Sequence, residues 1–153
     1  MKVSGRVLAA AVLAAFLAAP AGMAVAQDAK DVYAKRVDTM RSNGRSMGAI
    51  SRFVKGEVEY SPAIAEAAAQ LDANAKIYPT LFTPGSAVEG SRAKPEIWTN
   101  AADFQVKLTA FQTAAASLAA AAKTNDKAAI QTAMGPVGAA CVGCHQSYQA
   151  PPK

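Results

Sequence analysis

The chain has 153 residues, with 16 basic residues against 11 acidic ones and a formal charge of +5 at pH 7. Removal of the first 26 residues, which contain Lys2 and Arg6, leaves 14 basic and 11 acidic residues, a formal +3. No basic tract is interleaved with aromatic residues, so we expect no nucleic-acid partner.

Residues 1–26 have the pattern of a secretory signal peptide. Two basic residues precede the apolar run Val7 to Ala19, and Ala24-Val25-Ala26 offers a cleavage site of the A-x-A type. The apolar run is too short for a stable membrane span, although an uncleaved anchor is the alternative. We therefore expect a cleaved leader, and a single domain over residues 27–153 that is exported to a bacterial periplasm.

The first two helices are predicted from apolar spacing and from their end signals. Steps of three and four residues indicate a helix near Asp28 to Lys55, and Gly56 supplies its stop. A second, alanine-rich helix is predicted from Ser61-Pro62 towards Tyr78, with a capping hydroxyl and then proline at the first helical position. The stripe of the first helix comprises Tyr33, Val37, Met40, Gly44, Met47, Ile50 and Val54.

The second half of the chain contains a long connection and two more helices. Residues 79–97 are rich in proline and glycine and predict a crossover loop that could border a cofactor. Thr99-Asn100 is expected to cap the third helix, and residues 124–126 restart the chain into the fourth. Pro136 is expected to kink or locally open this last helix. Four helices without a strand pattern predict an all-α, antiparallel four-helix bundle.

The fourth helix carries Cys141-Val142-Gly143-Cys144-His145, the signature for covalent attachment of haem. Cysteines three residues apart share a helix face, so both can form thioethers to one porphyrin edge, and the adjacent histidine can bind iron. A redox dithiol normally opens a βαβ unit, and a zinc site needs more ligands than two cysteines and the only histidine. We predict one haem c, held inside one end of the bundle.

Further features resemble the class II c-type cytochromes, which include cytochrome c prime and the low-spin cytochrome c-556 type. They are the C-terminal position of the haem motif, Arg36 four residues before Met40, Val54-Lys55-Gly56-Glu57, Lys94-Pro95-Glu96-Ile97-Trp98, Gly138-Ala139-Ala140, and Tyr148 after His145. This resemblance covers essentially the whole mature chain. Gln149 departs from it, because many members have Arg or Lys four residues after the histidine.

The sixth iron ligand is left open by the residues themselves. A second histidine is excluded, and Met134 lies about 16 Å along its helix from His145, which makes it an unsuitable ligand. The low-spin branch of the family uses a methionine of the first helix, and the run from Met40 to Met47 is similar to that branch, which favours Met40. The alternative is that Met40 only fills the core. Gly44, one turn later, gives room either to the porphyrin or to a neighbouring helix.

Two arginines are candidates for binding the haem propionates. Arg36 has the charge and fork geometry to pair with a carboxylate, and its alternative is a solvated helix face. Arg92, in the crossover loop, is a second candidate for the same role.

The favoured function is that of a periplasmic electron carrier with a Met/His haem, meeting redox partner proteins through a small interface. The alternative is a five-coordinate, cytochrome c prime-type protein that binds nitric oxide or carbon monoxide. No acid-base constellation can be placed at the haem, so no enzyme is expected. The resemblance implies a homodimer through the first and second helices, which the small residues of the second helix permit.

Overall fold

The computed structural model describes residues 21–152, with side chains from residue 28 onwards. Four long helices form the bundle, and the predicted all-α four-helix fold is confirmed. α2 packs between α1 and α4, and α4 packs on α5, whereas the direct contact between α1 and α5 is small. The helices are α1 (Ala21–Val54), α2 (Pro62–Ile77), the short α3 (Glu96–Thr99), α4 (Ala101–Ala122) and α5 (Lys127–Tyr148), with a 3-10 turn at Tyr78–Leu81.

α1 is longer than predicted at its start. It begins at Ala21 rather than Asp28, because residues 21–27 are rich in alanine and contain no proline to end a helix. The predicted leader, residues 1–26, lies outside the described residues except for this short stretch of backbone. Between residues 21 and 152, no helix combines the length and the apolar character that crossing a bilayer requires.

The predicted end of α1 is confirmed. Gly56 has a φ of +76°, its N–H bonds to the Phe53 carbonyl, and the Glu57 N–H bonds to the Arg52 carbonyl. These two bonds form a Schellman motif, which requires the left-handed conformation that glycine adopts without strain.

The predicted side-chain caps differ in their outcome. Ser61 and Asn100 precede α2 and α4 as expected, but neither side chain makes a capping hydrogen bond. At α2 the proline at the first helical position fixes the backbone without one. At α5 the Asp126 carboxylate accepts from the N–H groups of Ala128 and Ala129, and the helix continues through Pro136 without ending there.

The crossover between α2 and α4 is fastened to the end of α5. Lys94 N–H donates to the Tyr148 carbonyl at 3.0 Å, and Ala150 N–H donates to the Arg92 carbonyl at 2.8 Å. The Lys94 ammonium also donates to the carbonyl groups of Gln146 and Ser147, where the negative end of a helix favours a cation. These contacts hold the crossover beside the haem motif.

The core is aliphatic and aromatic, but the buried side of α1 is mostly polar. The first-helix stripe was expected to face the core, and of its seven members only Ile50 is buried. Met40, Met47 and Val54 are partly buried and pack against the core. Five members also line cavities, and these are Tyr33, Val37, Met40, Gly44 and Met47. The buried residues of α1 are Arg36, Thr39, Asn43, Ser46, Ile50 and Phe53.

Candidate haem site

Two cavities lie between α1 and α5, which make only a small direct contact. Their volumes are about 410 Å³ and 370 Å³. Both are lined by Met40 of α1, by Phe82, and by Cys144 and His145 of α5. Met40 and the haem motif therefore face each other across shared space.

The two cysteines lie on one side of α5, as their spacing predicts. Both are partly buried, and both pack against the core. Cys141 lines the second cavity and Cys144 lines both. Burial raises the pKa of Cys141 and, with the neighbouring Cys141, raises the pKa of Cys144 to about 11. Burial at this position therefore favours the neutral form of both side chains.

His145 follows directly and opens onto both cavities. The pKa of its imidazole is lowered, first by desolvation and then by the charge of Arg92. Both effects favour the neutral imidazole, which is the form that binds a metal. Arg92 is exposed, lines the first cavity and donates from Nε to the Ala150 carbonyl at 2.7 Å.

Arg36 is buried, with 5% of its surface exposed, so its alternative placement on a solvated helix face is wrong. One terminal nitrogen donates to the Leu81 carbonyl at 2.9 Å and the Ser86 hydroxyl at 3.0 Å. The other donates to the Ser86 carbonyl at 2.8 Å and the Ser91 hydroxyl at 3.2 Å. Arg36 lines the first cavity, but these four bonds commit its terminal N–H groups to the crossover.

Among the methionines of α1 and α5, Met40 has a distinct position. It lines both cavities, Met47 lines only the second, and Met134 lines neither. The Met40 thioether already has a partner, because the Tyr78 hydroxyl donates to its sulfur at 3.1 Å. One sulfur lone pair of Met40 is thereby engaged.

Gly44 lines the second cavity one turn from Met40. A Cβ at this position would meet no atom within 4 Å. The reading of Gly44 as a close contact between helices is therefore wrong, and the glycine widens the cavity.

A line of buried polar residues ends at Met40, and the sequence-based prediction of the site does not include it. Asn43, Asn74 and Tyr78 are buried, and the Asn43 amide donates to the Tyr78 hydroxyl. Asn74 follows Gln70 by four residues in alanine-rich α2, and Tyr78, four residues later, begins the 3-10 turn that ends this helix. This spacing of four is the one sequence signal that the three share a face. Burial raises the pKa of Tyr78, with a smaller effect from the two cysteines.

The site fits a covalently held haem. Two thiols and an imidazole on α5 open onto the space, and the missing side chain of Gly44 leaves room for a ring on the opposite side. The first cavity has three arginines in its lining, and the second has one lysine. The carboxylates of a haem are best matched by the arginine side. Those arginines are Arg36, Arg41 and Arg92.

Residues 31–149 match the family model described as Cytochrome C'. The chain is 40% identical over 116 residues to cytochrome c-556 of Agrobacterium fabrum, which covers 75% of this chain and 78% of that protein. The nitric oxide complex of a mutant cytochrome c prime from Alcaligenes xylosoxidans superposes with a TM-score of 0.74 at 33% identity, covering 81% of this chain and 97% of that one. A cytochrome c' with ligand-controlled dimer dissociation superposes with a TM-score of 0.75 at 32% identity, covering 80% and 97%. The likeness extends over the whole bundle, and the chain belongs to the cytochrome c' family, whose cofactor is covalently attached haem c.

Proposed function

We propose that this protein binds a small diatomic gas, such as nitric oxide, at a haem whose iron has His145 as its only protein ligand. The observation that carries the proposal is the hydrogen bond from the Tyr78 hydroxyl to the Met40 sulfur. A thioether sulfur that already accepts a hydrogen bond is a weaker electron-pair donor to iron. The related cytochrome c prime with bound nitric oxide supports the same function.

The residues of α5 would hold the cofactor. Cys141 and Cys144 would form the two thioether bonds, and His145 would bind the iron from the α5 side. Haem iron supplies a coordination site for the gas. Met40, Phe82 and Gly44 would bound the opposite side, where the partly apolar lining keeps water from competing with a neutral ligand.

The charged residues of the first cavity would bind the propionates. Arg92 and Arg41 are exposed there and can turn towards a carboxylate at little cost. The terminal nitrogens of Arg36 are bonded to the crossover, so its Nε–H is the donor still available to a propionate. Arg36 would therefore contribute mainly positive charge to the propionates.

A second function, electron transfer with Met/His ligation, is favoured by a separate observation. Met40 is on the α1 side of both cavities that His145 lines, and a relative is a cytochrome c-556. Methionine binding to iron would close the site to gases and favour the ferrous state. The protein would then pass electrons between redox partner proteins.

The absorption spectrum of the purified holoprotein separates these functions. A high-spin ferric spectrum, and a ferrous spectrum that shifts with carbon monoxide, are expected for the gas-binding protein. Met40→Ala should leave that spectrum high-spin, and Met47→Ala serves as the matched control because Met47 lines only the second cavity. A low-spin spectrum that ignores carbon monoxide and is lost in Met40→Ala would establish the electron carrier instead.

We also propose a location and an assembly state, which the family supports. The predicted leader supports export to the periplasm, where the haem would be attached. The outer face of α2 carries exposed small residues such as Ala63, Ala69 and Ala73, which allow a second copy to approach closely. We therefore include a homodimer through α1 and α2 in the proposal, and sedimentation of the holoprotein with and without carbon monoxide tests it.

A further inference from the structure

Four side chains form one continuous line of hydrogen bonds from the outside of α2 to Met40. Gln70 Nε2 donates to Asn74 Oδ1 at 2.8 Å, and Asn74 Nδ2 donates to Asn43 Oδ1 at 2.7 Å. The Asn43 amide then donates to the Tyr78 hydroxyl, which in turn donates a hydrogen bond to the Met40 sulfur at 3.1 Å. In each of these bonds the acceptor is one step nearer to Met40 than the donor.

The order of donors and acceptors has a physical consequence. A hydroxyl that accepts a hydrogen bond is a better donor of its own proton, so each bond in such a line strengthens the next. The line is also well shielded from water, because Asn43, Asn74 and Tyr78 are all buried. No buried side-chain nitrogen or oxygen among the described residues lacks a partner.

The ring of Tyr78 cannot easily turn away from Met40. It stacks on Phe111 with centroids 5.4 Å apart and meets the edge of Phe82 at 6.2 Å. With the ring fixed by these contacts and the hydroxyl oriented by Asn43, the Tyr78 O–H donates to the Met40 sulfur.

We propose that Tyr78 is a positioning residue, which holds the Met40 thioether away from the haem iron and so keeps the sixth coordination site open to a gas. This inference rests on the proposed function and assigns control of the sixth coordination site to the turn that follows α2, outside the haem motif. The hydrogen bond from Tyr78 and coordination to iron compete for the Met40 sulfur. Removing the proton donor releases the methionine for the metal.

The test is the Tyr78→Phe holoprotein, which loses the hydroxyl and keeps the ring contacts. One neutral hydrogen bond of ordinary strength corresponds to about a fivefold change in an equilibrium. We expect the ratio of low-spin to high-spin iron, measured by electron paramagnetic resonance of the ferric protein, to rise about fivefold. Carbon monoxide affinity should fall as methionine competes with it.

Tyr60→Phe is the matched control. The Tyr60 hydroxyl donates to the Ala122 carbonyl at 2.8 Å, and Tyr60 lines neither cavity. This variant loses a comparable bond, so its spin state should equal that of the wild type. The double variant Tyr78→Phe with Met40→Leu should lose any new low-spin signal, because that signal comes from the methionine sulfur.

The outcomes separate this inference from the function on which it rests. A high-spin wild type with an unchanged Tyr78→Phe variant overturns the inference and leaves gas binding standing. A low-spin wild type overturns both. If Tyr78→Phe fails to fold, Asn43→Leu replaces it, since this change removes the donor that orients the hydroxyl. A smaller shift in the same direction is then expected, and no shift overturns the inference.

Discussion

Arg36 allows a quantitative test of how the crossover is held over the site. Its guanidinium makes four hydrogen bonds to the crossover, two of them to backbone carbonyls. Its carbon atom Cζ also lies 5.0 Å from the centre of the Phe82 ring. Replacement by glutamine removes the charge and the fork, and leaves the Leu81 and Ser86 carbonyls without their donor.

The expected loss follows from these bonds. Hydrogen bonds to a charged group contribute about 1.5–3 kcal/mol each, and the two to carbonyls alone give about 3 kcal/mol. Burying the charged guanidinium also has a desolvation cost, which lowers the pKa of Arg36. Its replacement relieves this cost, which offsets the contribution of the two bonds to hydroxyls. We therefore expect Arg36→Gln to lower the free energy of unfolding by about 3 kcal/mol.

Denaturant unfolding of the holoprotein measures this loss. Trp98 is the only tryptophan, and its indole donates to the Phe82 carbonyl at 3.0 Å, so its fluorescence reports on the same crossover. Far-UV circular dichroism reports on the helices in parallel. If the crossover and the bundle unfold together, the two signals should have the same denaturant midpoint, and Arg36→Gln should lower both midpoints equally.

Arg52→Gln is the control for loss of a basic residue of α1. Arg52 forms an exposed ion pair with Glu57 at 3.7 Å, so its replacement should cost less than about 1 kcal/mol. Arg36→Lys keeps the charge but cannot reproduce the planar, forked set of donors. It should therefore show most of the loss expected for Arg36→Gln. The reasoning is refuted if Arg36→Gln stays within about 1 kcal/mol of the wild type.

Two further substitutions test the second cavity and the pH dependence of stability. Gly44→Leu meets no protein atom within 4 Å at its Cβ, so it should fold, but it fills space in the second cavity. Overpacking beside a bound haem costs about 1–3 kcal/mol, so the carbon monoxide affinity of the Gly44→Leu holoprotein should fall about tenfold. Gly48→Leu, outside both cavities, should leave the affinity unchanged. Equal affinities of Gly44→Leu and the wild type would contradict the placement of the cofactor. Tyr148 donates to Asp103 at 2.5 Å, and this bond, aided by burial, raises the pKa of Tyr148 from 10.0 to about 12. The protonated form is favoured by folding, so its stabilisation is complete below pH 10 and disappears as the pH rises through about 12. Tyr148→Phe should therefore make the fall of the thermal midpoint over this range shallower, and an unchanged slope would show that the bond does not contribute.

The features predicted correctly from the sequence depend on residues close together in the chain. The four long helices follow from spacing of three and four, the end of α1 from Gly56, and the start of α5 from Asp126. The two cysteines share a side of α5 because they are three residues apart. Each of these results needs only backbone geometry within one or two helical turns.

The face of α1 was assigned less well. Its apolar stripe predicted the core side, but in the structure most of that stripe also lines the cavities, and polar residues take four of the six buried positions of this helix. A sequence pattern cannot distinguish an apolar face that meets protein from one that meets a cofactor, because both keep water away.

The sequence by itself therefore determined the helices, the family resemblance and the haem motif, since each rests on local spacing and on the chemistry of two thiols beside an imidazole. Only the tertiary structure decided the partners of Arg36 and Met40. Arg36 bonds to residues 45–55 positions away, and Met40 to Tyr78, 38 positions away. Such partners are fixed by how three helices and a crossover meet in space, and no single stretch of sequence contains that information.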